Sequence, residues 1–263
     1  MTARFARDTA VRPLGDGRYA ATIDPAWKVE RPNGGYVAAV LLRAVTAEVD
    51  DPVRPPRSLT VHYLRPPADG EVEVEVTVER AGRRMTALSA RLTQGGKPIA
   101  LALVAAGQAR DDAFSHDDAP PPDVPPPEDC PALPEPPFPI PIRQNFDSRL
   151  ALGSPIFSGA PDGEAVTGGW MRLREPVPVD AEYLAQIADA WVPAVFGVTT
   201  ERLGVPTSDL TVHFRRPAVD EDPWLLVRFR TRLAADGYLE EDGEIWDRSG
   251  RLLAQSRQLA VIV

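Results

Sequence analysis

Leu59-Thr60-Val61-His62-Tyr63-Leu64-Arg65-Pro66 returns as Leu210-Thr211-Val212-His213-Phe214-Arg215-Arg216-Pro217, six of eight residues identical, 151 positions later in a chain of 263. A spacing of more than half the chain is too long for a solenoid repeat and marks two copies of one unit. Each copy then has about 130 residues, an ordinary domain size. With 43% apolar residues, the chain can fill a sizeable core.

The copies are separated by twelve prolines between Pro120 and Pro141. Proline removes backbone donors and holds the chain extended, so neither a helix nor a central strand can form there. The expected division is a first unit at 1–107, a proline-rich linker at 108–142 and a second unit at 143–263.

Outward from the repeat, the first unit reads as a strand (Gly17 to Asp24), a helix, then four strands. The helix begins at Gly34-Gly35-Tyr36-Val37-Ala38-Ala39-Val40-Leu41-Leu42, without one charge, and continues through Val49. A helix apolar nearly all round belongs inside a protein. The strands are Ser58 to Arg65, the strictly alternating Glu71 to Glu79, Met85 to Thr93 and Pro98 to Ala106, broken at Gly82 and Gly95-Gly96. The second unit repeats the order. Strands at Asn145 to Leu150 and Ala165 to Arg174 precede a helix expected from Asp180, a good N-cap, to Phe196, with Gly197 as its stop. Strands at Thr207 to Arg216, Trp224 to Leu233, Tyr238 to Asp247 and Arg251 to Val263 follow. One helix per antiparallel sheet is an α+β arrangement.

This order resembles the hot-dog fold, a curved antiparallel sheet wrapped round a central helix, in its double form with two such sheets and helices. The glycine-glycine helix start in Arg31-Pro32-Asn33-Gly34-Gly35-Tyr36, and the aromatic-x-Arg-Pro strand in each half, are similar to those of the type II (double hot-dog) acyl-CoA thioesterases. The resemblance covers almost the whole chain apart from the proline linker. It implies hydrolysis of an acyl-CoA to a free acid and coenzyme A. It also implies a catalytic set in the second unit: an Asp on the central helix, a Thr ahead of the Arg-Pro strand and a Gln on the last strand. Here these are Asp189, Thr207 and Gln258. Aligning the repeats puts Pro56 opposite Thr207 and Val104 opposite Gln258, and the first helix carries no acidic or basic residue between Gly34 and Leu42. One site per chain follows.

The residues themselves leave more open. Leu184, Ile187, Ala188, Trp191 and Val195 make one helical stripe with Asp189 at its border, which fits a solvated aspartate as well as a buried one. Gln258 shares a strand face with the small or apolar Ala254, Ser256, Ala260 and Ile262, where a glutamine is either buried for a purpose or an edge residue, and Thr207 fits a plain strand start equally well. A thioester carbonyl attacked by water needs a carboxylate to orient and deprotonate the water, and donors for the oxyanion. Asp189 suits the first task, with Thr207 and Gln258 holding the same water. The peptide N–H groups at Gly34 and Gly35 suit the second, or the two glycines serve only close packing.

A net charge of −9 disfavours nucleic-acid and anionic-membrane surfaces. Cys130 is the lone cysteine, so neither an intrachain disulfide nor a cysteine metal cluster can form. No metal helix, nucleophile elbow or phosphate loop occurs, and no cofactor or metal is expected. The first eight residues lack an apolar signal core and no uncharged apolar run approaches the ~20 residues that span a bilayer, so a soluble cytoplasmic protein is expected. His62 and His213 repeat in both copies and read as scaffold. Arg228, Arg230 and Arg232 share one face of a strand, the usual pattern of a solvated face; they are also candidates for coenzyme A phosphates, with Arg215, Arg216, Arg83 and Arg84 as rivals. A homodimer paired through exposed sheet edges suits the fold. Two other functions stay open: an acyl-CoA or acyl-group binding protein without turnover, and an enoyl-thioester hydratase or dehydratase. The latter is disfavoured because neither central helix carries a histidine.

Overall fold

The computed structural model describes residues 2–110, 113–136, 138–154, 161–201, 203–216 and 223–263. Pro217, which closes the second copy of the repeat, lies outside the described residues. The chain runs α1 (Arg4–Asp8), β1 (Arg12–Gly15), β2 (Arg18–Ile23), α2 (Gly34–Val49), β3 (Pro56–Tyr63), β4 (Gly70–Ala81), β5 (Met85–Gln94) and β6 (Lys97–Gly107). Beyond the proline segment come β7 (Phe146–Leu152), β8 (Val166–Leu173), α3 (Ala181–Ile187), β9 (Thr207–Phe214), β10 (Leu225–Arg230), β11 (Ala234–Ala235), β12 (Tyr238–Asp247) and β13 (Leu252–Val261).

All of these strands join one antiparallel sheet in the order β1-β2-β4-β5-β6-β3-β9-β13-β12-β10-β8-β7, with β11 against β12. Read outward from its middle, the order is the same in both directions. The two half-sheets expected from the sequence therefore meet edge to edge, and the strands that meet are the two copies of the repeat. Thr60 faces its own duplicate Thr211, with their hydroxyls 3.0 Å apart, so a local two-fold axis passes between them. Each copy closes the other's open edge, a solution to unpaired backbone groups that needs no second chain.

Helix α2 starts where Asn33 accepts a hydrogen bond from the Tyr36 amide at 3.0 Å, an N-cap of the preferred kind. Ten of its sixteen residues are buried, as its uncharged run predicts. It packs against α3, whose cap Asp180 accepts from the Tyr183 amide at 2.8 Å. At the crossing, a Cβ on Gly35 would stand 2.7 Å from the Gln186 carbonyl oxygen and 2.8 Å from that of Ala185. Only glycine lets the helices approach so closely. One apolar core runs through both halves, with Leu59, Val61, Leu210 and Val212 at its middle.

The second helix is much shorter than expected, ending at Ile187 rather than Phe196. Pro193 supplies no N–H and biases Val192 away from the helical region. The chain tightens first, with the Asp189 amide bonding to Gln186 O and that of Ala190 to Ile187 O, both at 3.3 Å. A short 3₁₀ turn, Ala194–Gly197, follows the proline. Asp189 thus lies in the turn after α3 and not on a helical face.

The described part of the proline segment carries no helix or strand until a 3₁₀ turn at Pro141–Asn145. It lies against the second half of the sheet. Extended proline-rich chain leaves its carbonyls without internal partners, and two tryptophans meet them: Trp170 donates to Pro125 O at 2.9 Å and Trp246 to Ala119 O at 3.0 Å. Cys130 is buried in the same cluster with Trp224, Leu226 and Leu252. Among the described residues no helix is long and apolar enough to cross a membrane.

Candidate active site

Four segments converge at the start of α2. Asn33 uses its whole amide there. Its oxygen accepts from the Tyr36 amide and from Gln186 Nε2 (2.8 Å), while its nitrogen donates to Asp189 O (2.7 Å) and Asp189 Oδ2 (2.8 Å). The Gly35 amide donates to the same Oδ2 at 2.9 Å. One carboxylate oxygen is therefore held by the cap and first turn of the other half's helix. The other, Oδ1, lies 3.4 Å from the hydroxyl of Thr207, the first residue of β9.

Thr207 also lies 2.9 Å from Gln258 Oε1, on the neighbouring strand β13. Gln258 Nε2 in turn donates to Glu241 Oε1 at 2.9 Å, directly across the β12–β13 ladder, and Glu241 Oε2 accepts from the Ala194 amide at 2.6 Å. Tyr63, from the repeat strand of the first half, donates to Gly34 O at 2.8 Å. The Asp189, Thr207 and Gln258 side chains expected from the sequence are thus brought together, with the Thr207 hydroxyl within reach of both neighbours' oxygens. Gly34 and Gly35 stand beside them, with their amides turned to the Asp189 carboxyl.

The electrostatics are those of carboxyls taken out of water. Burial pushes Asp189 from 3.8 up to about 6, against the pull of the Gly35, Thr207, Gly34 and Asn33 donors. Burial likewise pushes Glu241 up to about 7, opposed by the Ala194 amide and Gln258 and reinforced by the charge of Asp189. The Tyr63 hydroxyl is raised by burial and by Asp189 and Asp209. A carboxyl poised near neutral pH beside two neutral hydrogen-bonding side chains can hold and deprotonate a water molecule.

Sheet register fixes the comparison between halves. Leu59 pairs with Val104 as Leu210 pairs with Gln258, and Val104 pairs with Leu88 as Gln258 pairs with Glu241. The first half carries buried Pro56, Val104 and Leu88 where the second carries Thr207, Gln258 and Glu241. The polar chain exists once.

Sequence reading missed Asn33, Gln186, Tyr63 and Glu241. Asn33 had a signal, since it precedes an apolar helix as N-caps do. Glu241 also had one, since alternation along the strand Tyr238 to Asp247 groups it with Leu239, Gly243 and Ile245 on one face.

Residues 23–107 match the model of the acyl-CoA thioesterase N-terminal domain, and residues 127–262 that of the C-terminal domain. The chain belongs to the acyl-CoA thioesterase family. Among solved structures, this thioesterase-family chain is similar to a hot-dog-fold protein of unknown function from Alicyclobacillus acidocaldarius, at 29% identity and a TM-score of 0.88 over 100% of this chain and 99% of that one. It is similar also to a candidate thioesterase II from Thermobifida fusca YX, at 29% identity and a TM-score of 0.85 over 100% and 98%. An uncharacterized protein of Mycobacterium tuberculosis is 28% identical over 100% of this chain and 99% of its own.

Other features of this family member lie elsewhere. His62 and His213 are exposed. Arg228 pairs with Glu244 and lies over the Trp246 ring, 5.3 Å from its centroid, and Arg216 pairs with Asp117 at 2.8 Å. A groove of about 490 Å³, lined by Thr60, His62, Thr77, Arg91 and Leu103 among others, includes none of the Asp189 set. Among the described residues, no group of three or more His, Cys, Asp or Glu side chains could hold a metal ion.

Proposed function

We propose that this chain hydrolyses acyl-CoA thioesters to a free carboxylic acid and coenzyme A, by direct attack of a water molecule held by Asp189, Thr207 and Gln258. The observation that carries the reading is the convergence of three polar side chains, with Thr207 Oγ1 2.9 Å from Gln258 Oε1 and 3.4 Å from Asp189 Oδ1, where the register equivalents in the first half are apolar. Asp189 Oδ1 takes a proton as the water oxygen bonds to the thioester carbon. The tetrahedral oxyanion then collapses and the carbon–sulfur bond breaks, and the departing thiolate recovers the proton from Asp189. Water and side chains suffice for each step, and no covalent acyl-enzyme forms.

In this reading Gly34 and Gly35 act chiefly as holders of the base. The Gly35 amide is engaged by Asp189 Oδ2, which weakens its claim to the oxyanion. Residues 1–107 and 143–263 are the two units of a double hot-dog, each half-sheet wrapped round its helix, with 108–142 as the strap between them. The substrate is a soluble acyl-CoA met in the cytoplasm, and two chains pair as a homodimer.

Thiol release from a panel of short, medium, long-chain and aromatic acyl-CoAs tests the activity. Release from at least one member supports it, and no release from any overturns it. Tight binding without release would assign the chain as an acyl-CoA binding protein.

A further inference from the structure

Glu241 is a carboxylate 4% exposed, with no basic side chain among the groups acting on it. It touches none of the three residues that hold the water except Gln258. Its oxygens are divided between two donors, the Ala194 amide at 2.6 Å and Gln258 Nε2 at 2.9 Å. The charged groups that act on it, Asp189 and Glu240, are both acidic. At the register-equivalent position the first half carries Leu88, 1% exposed, facing Val104. Strand pairing itself therefore does not require a carboxylate at this place, and the Ala194 amide occupies only one of its two oxygens.

We propose that Glu241 is a positioning residue that fixes which way round the Gln258 amide stands, and thereby decides which oxygen of Asp189 is left to act on water. This rests on the thioesterase reading for its consequence, though not for its geometry. In its ionised form, the one that prevails above about pH 7, Glu241 only accepts, so it compels Gln258 to present its NH₂ toward β12 and its oxygen toward Thr207, and the comparison below is made at pH 8. The Thr207 hydroxyl has one proton. Facing the Gln258 oxygen at 2.9 Å and Asp189 Oδ1 at 3.4 Å, it gives that proton to Gln258. Asp189 Oδ2 is held by Asn33 and Gly35, and Oδ1 keeps its lone pairs for water.

With the amide reversed, its NH₂ would face Thr207 Oγ1, and the hydroxyl proton would turn to Asp189 Oδ1. The base would then be blunted by its own neighbour. Glu241→Gln produces this reversal with almost no change of shape. The Ala194 amide retains the only carbonyl oxygen of the new side chain, so its NH₂ faces Gln258, which must answer with its oxygen.

The test compares wild type, Glu241→Gln, Gln258→Ala and the double variant, using the acyl-CoA that wild type turns over best. Glu241→Gln is expected to lower kcat about tenfold or more, with KM changed less than twofold. Its further effect in the Gln258→Ala background should be under twofold, because the route it acts through is gone. An unchanged kcat overturns the proposal, as does a tenfold loss that persists without Gln258.

Neutron diffraction from deuterium-exchanged wild-type crystals reads the amide directly, whether or not any variant folds. Deuterons on the side of Gln258 facing Glu241 are expected, and deuterons facing Thr207 overturn the proposal. Wild type without turnover on any acyl-CoA would sink the thioesterase reading, while the deuteron positions would still decide the role of Glu241 in the chain of hydrogen bonds.

Discussion

Replacing Asp189 by Asn should make the protein more stable and nearly inactive at once. Moving a carboxyl from 3.8 in an unfolded chain to about 6 in the folded one means that folding favours the neutral form by about 3 kcal/mol. The sign follows from linkage. The folded state binds this proton more tightly, so the stabilising contribution is complete below 3.8 and is lost as pH rises through about 6. At pH 8 the ionised carboxyl therefore burdens the fold by up to about 3 kcal/mol, an upper figure because Asp189 keeps some exposure to water. Asparagine keeps an oxygen for Asn33 Nδ2 and the Gly35 amide, and it has no charge to desolvate.

Urea unfolding should thus show the variant more stable than wild type at pH 8 by about 1–3 kcal/mol, with the gap narrowing as the pH falls toward 4.5. Turnover should drop about 10²–10⁴-fold, the usual worth of a general base. A variant less stable than wild type at pH 8, or a gap that does not narrow in acid, refutes the burial argument. Undiminished turnover refutes the assignment of Asp189 as the base.

The same carboxyl must be ionised to work, so kcat/KM should rise with pH through about 6 and level off above it; a flat profile from pH 5 to 8 contradicts this. Asn33→Ala removes both the cap of α2 and the donor to Asp189, and should cost about 1–2 kcal/mol in urea unfolding while lowering kcat severalfold. A loss of stability without loss of kcat would confine Asn33 to capping. Gly35→Ala puts a Cβ 2.7 Å from the Gln186 carbonyl and should cost roughly 1–3 kcal/mol by overpacking, read as a lower Tm; an unchanged Tm would show that the helices part freely.

Much of this fold was legible because burial in it is periodic. The alternation of β4 and the charge-free run of α2 each specify one element and one buried face, and the structure places them within a residue or two of the reading. The second helix was overextended because the stripe through Leu184, Ile187, Ala188, Trp191 and Val195 continues in helical register past the true end. Pro193 was the local signal against it, and following it would have moved Asp189 from a helix face into a turn. Thr207 and Gln258 could be found by difference from Pro56 and Val104. Glu241 lies on the period-2 face of Leu239 and Ile245, so its burial was legible too, but its Ala194 amide partner, 47 positions away, was not. Nor could the sequence show that Asn33 would hold a residue 156 positions away. Contacts of that separation depend on how the halves join, and a repeat motif does not announce that its copies pair with each other.

That joining also explains why a duplicated chain carries one polar chain and not two. The sheet reads the same from its middle outward in both directions, so the backbone offers two equivalent places. The second half fills its place with two carboxyls that burial raises to about 6 and about 7, each of which disfavours the fold when ionised. A matching pair in the first half would repeat that burden without adding a second helix end to hold it. Leu88, Val104 and Pro56 replace that burden with apolar packing of the kind that stabilises a core. The first half contributes instead what costs the fold little: a helix N-terminus whose Asn33 and Gly35 donors grip the other half's carboxylate. On this account the asymmetry between the copies is a division of labour imposed by the free energy of burying charge, with one half supplying stability and a helix end, and the other the carboxyls.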